Sequence, residues 1–212
     1  YLTGAVCAVS GFAVRFPLVF AVGENKTLRR ITVGIETGLL VLGGLVVWIA
    51  VDSTRMARDF DGCPAHVYIL YDDMGCVPRW VLTLGGYRIA RTANTRWGEA
   101  STVVTRLDTD RLRHALATGT LIYLATHGAS EYGGILYGGE ELYPKNMAEA
   151  DLQPGPNLQY VYLSACYGGA LREEWQQALS PAEVVSFNRV SAVLEHIWWM
   201  WSQAPDIVAG LK

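Results

Sequence analysis

The pattern of this 212-residue chain predicts an α/β domain in three layers, αβα, with a mostly parallel sheet, preceded by a transmembrane helical hairpin. Three observations carry that prediction. From residue 66 onward, short apolar runs alternate with helical patterns, which implies a parallel sheet with helices on both faces. Two of those runs stop abruptly at a reactive side chain, at His127 directly before Gly128 and at Cys166 one residue before Gly168-Gly169. The apolar excess sits in the first fifty residues. The expected organisation is therefore a membrane-spanning part over 1–51, a linker over 52–65 and a catalytic-type domain over 66–212.

The run Val33–Val51 carries one charge, Glu36. A bilayer core needs about 20 apolar residues in helical form. Arg29 and Arg30 precede the run, Asp52, Arg55 and Arg58 follow it, and Trp48 sits where interfacial aromatics belong. Residues 31–51 are read as a transmembrane helix, with a buried core helix as the alternative. Residues 1–22 are also apolar but contain Arg15 and Pro17. An arginine at mid-helix costs about 2.5–3.5 kcal/mol on insertion scales. The segment is expected either to span, with its turn at 23–27, or to lie at the interface. Gly4, Ala8, Gly11, Gly34 and Gly38 would let two helices approach closely. A cleaved signal peptide is not expected, because no small-residue cleavage site follows a short apolar core. Basic residues flank both ends of the second span, so the charge rule leaves orientation nearly balanced.

Charged residues, Gly62 and Pro64 mark 52–65 as a connector. A first buried strand is expected over 66–71, ending at Asp72 and Asp73. Further strands are expected over 80–84 and 102–107, with a polar loop over 87–100. Asp108 is placed to cap a helix that runs to Ala117, with Gly119 as its stop. The strand ending at His127 follows, then a hairpin over 132–140. Asn146 is read as the cap of a short helix reaching Leu152. The strand ending at Cys166 comes next, then helical spacing of Leu171, Trp175 and Ala178. Ser180, Pro181 and Glu183 match a helix start, but Val184–Phe187 reads as a strand, and the strand is preferred. The last expected helix covers 189–203, capped by Asn188, with Val190, Val193, Leu194, Ile197, Trp198 and Trp201 along its stripe.

Half the residues are hydrophobic (51%) and 17% are charged, a low share for a fully soluble protein. Net charge is −3 with no long basic run, which argues against a nucleic-acid partner. The four cysteines, 7, 63, 76 and 166, show no metal-ligand spacing. No metal and no cofactor is expected. A Cys63–Cys76 disulfide is compatible with an oxidising compartment but does not follow from spacing.

Two neighbouring strands in a parallel sheet would bring His127 and Cys166 to one crevice at their carboxyl ends, where sites form in such sheets. A thiolate is the nucleophile, and an imidazole beside it favours the ionised form and later protonates a leaving amine. The backbone N–H groups of Gly128 and Cys166 are candidate oxyanion donors. Each residue alone has a plainer reading. His127 would then hold a structural hydrogen bond, and Cys166 would be an inert buried thiol.

The Ala125-Thr126-His127-Gly128 and Leu163-Ser164-Ala165-Cys166-Tyr167-Gly168-Gly169 stretches resemble the caspase-like cysteine peptidases, most closely the bacterial CHAT group. The resemblance covers roughly 66–205. It implies His127 as general acid/base and Cys166 as nucleophile, with no metal or organic cofactor. It also implies a protein or peptide substrate and a cytoplasmic domain, here anchored in a lipid bilayer. In relatives, acidic residues after the first strand and two places before the cysteine help bind a basic side chain. Asp72 and Asp73 stand at the first of those positions. Ser164 stands at the second and departs from the pattern. Arg91, Arg96 and Arg172 are the candidates for the opposite preference, an aspartate-binding pocket. Such peptidases often answer to a sensor or regulatory partner, and no sensor is visible in these residues.

Two other readings stand beside this one. Ser164–Gly168 also resembles a nucleophile elbow, in which the histidine follows the nucleophile; His196 would then be the base of an amidase or hydrolase. The third is a catalytically silent scaffold of the same fold that recruits partners at a membrane.

Overall fold

The computed structural model describes residues 27, 30–35, 37–41, 43–44, 56–72 and 86–211. Contacts divide the chain into two units, Tyr1–Asp52 and Ser53–Lys212. The described residues of the first unit are helical, and Ile31, Ile35, Leu39 and Val41 are exposed on it. No helix among the described residues is long and apolar enough to cross a membrane. The expected span over 1–22 lies outside the described residues, as does part of that over 31–51.

The second unit is α/β. Its main sheet has strands β1 (Val67–Tyr71), β2 (Thr102–Arg106), β3 (Leu121–Ala125), β6 (Tyr160–Ser164) and β7 (Glu183–Ser186), in the order β2-β1-β3-β6-β7. Every pairing in it is parallel. The two remaining strands, β4 (Ile135–Tyr137) and β5 (Glu140–Leu142), form the expected hairpin. Its turn residues Gly138 and Gly139 take φ of 58° and 89°, which only glycine adopts freely and which a two-residue hairpin turn requires. Among its described residues the α-helices, in chain order, are α1 (Gly86–Trp97), α2 (Thr109–Thr118), α3 (Arg172–Ala178), α4 (Val193–Ser202) and α5 (Ala204–Gly210).

Alternation along the strands sorts the core into two layers. Ile122, Leu124, Val161, Leu163 and Ala165 pack with Leu112, Ala115 and Leu116 of α2 and Trp175 of α3. Tyr123, Ala125, Tyr160 and Tyr162 face the other way, against Ile89 and Ala93 of α1, Trp199 and Met200 of α4, and Val208 of α5. The central strands are buried on both faces, as a parallel sheet between helix layers requires.

Several local expectations need correcting. Residues 87–100 were expected as loop, but 86–97 form α1. Its buried stripe is thin, carried by Ile89, Ala90 and Ala93, so polar residues dominate the pattern. The arginines anchor it instead. Arg88 donates to the Trp201 carbonyl and Arg96 to the Ala209 carbonyl. Residues 146–152 are not a helix: a 3-10 turn over Pro144–Asn146 is followed by further turns, and Asp151 takes a left-handed φ of 53° that ends any helical run. The expected strand over 80–84 lies outside the described residues. The 52–65 stretch is tied to the sheet from Arg58 onward. Arg58 N–H donates to the Thr102 carbonyl and its own carbonyl accepts from Val104 N–H, so it borders β2 as an extra bridge.

The last expected helix, α4, begins at Val193, not at 189. Glu195 accepts from the Ala192 N–H and closes the start of α4 in place of Asn188. Its buried face is His196, Trp199 and Met200, whereas Val190, Leu194 and Trp198 of the expected stripe are exposed, the last two at 76% and 67%. The sheet decides this. Trp199 stacks on Tyr162 at 3.8 Å between ring centroids and lies near Tyr123 and Tyr160 at 6.1 and 6.0 Å. Aromatic pairs of this kind contribute about 0.5–1.5 kcal/mol beyond their buried area.

Candidate active site

β3 and β6 are direct neighbours with Ala125 opposite Ser164. The ladder continues past the strand end, because Thr126 N–H donates to the Ser164 carbonyl at 3.1 Å. His127 and Cys166 each stand two residues past that last pair, beyond the carboxyl ends of adjoining strands. The His127 residue is exposed and Cys166 is half-buried, with a free thiol.

Gly128 locks the two tips together. A Cβ built there would lie 2.4 Å from the Cys166 carbonyl oxygen and 3.6 Å from the Cys166 Cβ. Only a residue without a side chain permits that approach. On its other side the strand tip leans on the β4–β5 hairpin. Leu136 N–H donates to the His127 carbonyl and Ala129 N–H to the Gly134 carbonyl. These two bonds flank the Gly128–Ile135 bridge, so the Gly128 N–H itself turns away from the hairpin.

The backbone after Cys166 is fully engaged. Tyr167 N–H donates to the Arg189 carbonyl, Gly168 N–H to Ala165 and Gly169 N–H to Phe187. By contrast, among the described residues neither Gly128 N–H nor Cys166 N–H has an acceptor. Two unspent donors therefore lie beside the thiol. Tyr167 takes a left-handed backbone, φ 56° and ψ 12°, which costs an L-residue roughly 1–2 kcal/mol. Its ring packs on Tyr132 at 4.4 Å. The sharp turn it makes leaves Cys166 at the end of its strand, not inside a helix.

The other predicted residues fall as follows. Asp72 is buried, 8% exposed, at the tip of β1, and its N–H donates to the Ala125 carbonyl one strand from His127. Asp73 lies outside the described residues. Ser164 is buried at 5% exposure. Tyr123 keeps its proton, since burial pushes the phenol well above its ordinary range. The Cys63 thiol is free and exposed; Cys76 lies outside the described residues. Among the described residues no group of histidine, cysteine and carboxylate side chains could hold a metal ion.

His196 is 6% exposed on α4. Its Nδ1 lies 3.1 Å from the Tyr162 hydroxyl and its Nε2 2.7 Å from Ser191 Oγ. Both ring nitrogens are thus occupied by groups other than the thiol, and the elbow reading has no free nitrogen there to serve as base. Burial pushes this imidazole down to about 4, so it is neutral at pH 7. The sequence names His196 only as the base of the elbow reading, and its spacing does not mark the 187–192 segment at all. The signal was a histidine inside an apolar helix, which reads equally well as core.

No protein-family model matches the chain, and no curated protein matches it.

Proposed function

We propose that the chain is a membrane-anchored cysteine endopeptidase of the caspase-like, CHAT-type kind, with Cys166 as nucleophile and His127 as general acid/base. The observation that carries this reading is the pair of unspent amide donors, Gly128 and Cys166 N–H, beside a half-buried free thiol on the strand next to His127. The imidazole takes the thiol proton, and the sulfur attacks the scissile carbonyl carbon. The resulting oxyanion is held by the two N–H groups; one such donor is worth about 2.7–4 kcal/mol in the transition state. The C–N bond breaks as the imidazolium returns its proton to the leaving amine. Water, deprotonated by the imidazole, then attacks the thioester, and the thiol leaves reprotonated with the carboxylic acid released.

No cofactor enters this chemistry. The substrate class is a protein or peptide, and Asp72 with Asp73 favours a basic side chain before the scissile bond. Ser164 is left out of the proposed substrate pocket because it departs from the acidic residue that relatives carry at that position. The first fifty residues would hold the domain at the cytoplasmic face of a bilayer, where a sensor or regulatory partner would act.

The test is turnover of a fluorogenic peptide panel by the full chain, alongside Cys166→Ala and His127→Ala. Cys166→Ala should fall to background. His127→Ala should lose about 100- to 10,000-fold, the usual contribution of a general acid/base. Arginine or lysine before the cleaved bond should be preferred. Turnover that survives Cys166→Ala sinks the reading, and a preference for aspartate reverses the pocket assignment.

A further inference from the structure

The 187–192 segment between β7 and α4 runs along the nucleophile turn. The Phe187 and Arg189 carbonyls take the N–H groups of Gly169 and Tyr167, and the Ser191 carbonyl oxygen lies 3.9 Å from Cys166 Sγ. From the other side it is held by α4. Arg189 and Glu195 form an ion pair, with Arg189 over the Phe187 ring at 5.0 Å. Ser191 Oγ is tied to His196 Nε2, and His196 Nδ1 to the Tyr162 hydroxyl on β6, the strand that carries the nucleophile.

We propose that His196 and Tyr162 are positioning residues for the Cys166 nucleophile, acting through the hydroxyl and carbonyl of Ser191. The inference rests on the peptidase reading above and deepens it. A buried imidazole between two hydroxyls donates through one nitrogen and accepts through the other, so it fixes the distance between strand and segment. The groups facing it are Tyr162 from β6, Ser191 and Arg189 from the segment, Phe187 edge-on at 5.3 Å, and Glu195 from its own helix. A neutral ring suits this role, and burial keeps it neutral. Misplacing a reacting atom by about 1 Å can cost on the order of 100-fold in rate, so a loosened Ser191 should register in turnover before it registers in stability.

The test uses the full chain in mild detergent, with Ser191→Ala, Ser191→Thr and Tyr162→Phe beside wild type, His127→Ala and Cys166→Ala. Two quantities are measured at pH 7: kcat and KM on the best peptide, and the rate at which iodoacetamide alkylates Cys166, followed by mass spectrometry. Ser191→Ala and Tyr162→Phe should each lower kcat about tenfold with KM within about twofold, and slow alkylation. Ser191→Thr, which keeps the hydroxyl, should restore both. Rates for Ser191→Ala and Tyr162→Phe within twofold of wild type, or a loss that threonine does not restore, overturn the proposal. If turnover is indifferent to His127 and Cys166, the peptidase reading fails, and the alkylation contrast between alanine and threonine still decides the positioning role.

Discussion

Gly128 and Cys166 share a contact that leaves no room for a β-carbon. Gly128→Ala would set a methyl carbon 2.4 Å from the Cys166 carbonyl oxygen, a backbone atom that cannot swing aside. The tips of β3 and β6 would have to part. The expected outcome is a stability loss of about 1–3 kcal/mol and, on the proposed peptidase reading, a fall in turnover of at least about 100-fold, since both proposed oxyanion donors shift with the backbone. Denaturant titration and peptide kinetics on the same preparation check it. A variant that keeps wild-type turnover would show that the contact is packing alone. Tyr167 makes the complementary point. A tyrosine in the left-handed region is a local cost, offset by its ring contact with Tyr132 and by the three amide bonds of the turn that follows it. Strain of this kind concentrates where geometry serves a function.

At the scale of elements, α2 and α4 show the two ways a helix is specified. For α2 the signal is local. The Asp108 side chain accepts from Arg111 N–H at 2.8 Å, and Leu112, Ala115 and Leu116 form one buried stripe. Gly119 stops the helix as expected but for a different reason. It has no left-handed backbone, with φ −76°; instead a β-carbon there would meet the Ala115 carbonyl at 2.7 Å and Tyr68 at 3.0 Å. For α4 the signal is not local, because nearly every residue is apolar and two or three faces would serve. The tyrosines of β3 and β6 select Trp199 and leave Trp198 outside. Trp199→Ala should therefore cost about 3–5 kcal/mol, whereas Trp198→Ala should stay within about 0.5 kcal/mol. Thermal or denaturant unfolding of the two variants checks this, and equal losses would mean that the helix presents a different face.

For the molecule as a whole, stability should depend on pH in two windows. His196 titrates near 4 in the folded chain, because burial disfavours its charged form, against 6.5 for an ordinary imidazole. The unfolded chain thus binds the extra proton first. The stabilisation is complete above pH 6.5 and is lost as pH falls towards 4, on the order of 3 kcal/mol at most. Burial lowers His66 in the same direction. Below this, Glu195 is held down to about 2, first by the Arg189 hydrogen bond and then by the Ala192 N–H. Its contribution is present above pH 4.5 and lost as pH falls towards 2. Urea midpoints of wild type and His196→Gln between pH 7 and 4 check the first window. The variant should show a flatter profile, and parallel profiles would remove His196 as the cause.

What the sequence determined by itself was the chain-order information. Apolar runs of strand length, their alternation with helices, the cap at Asp108 and the hairpin at Gly138–Gly139 all rest on neighbours a few positions away. So does the placement of His127 and Cys166 just beyond the ends of two strands, which pair in parallel with Ala125 opposite Ser164. The tertiary structure alone decided the rest. Helix α1 was hidden because its anchors are arginines bonded to carbonyls more than a hundred positions away. The face of α4, the path of 187–192 beside the thiol and the partners of His196 depend on rings and hydroxyls that only the folded sheet brings near. Periodicity reports which side of an element is apolar; it carries no information about which partner will meet that side.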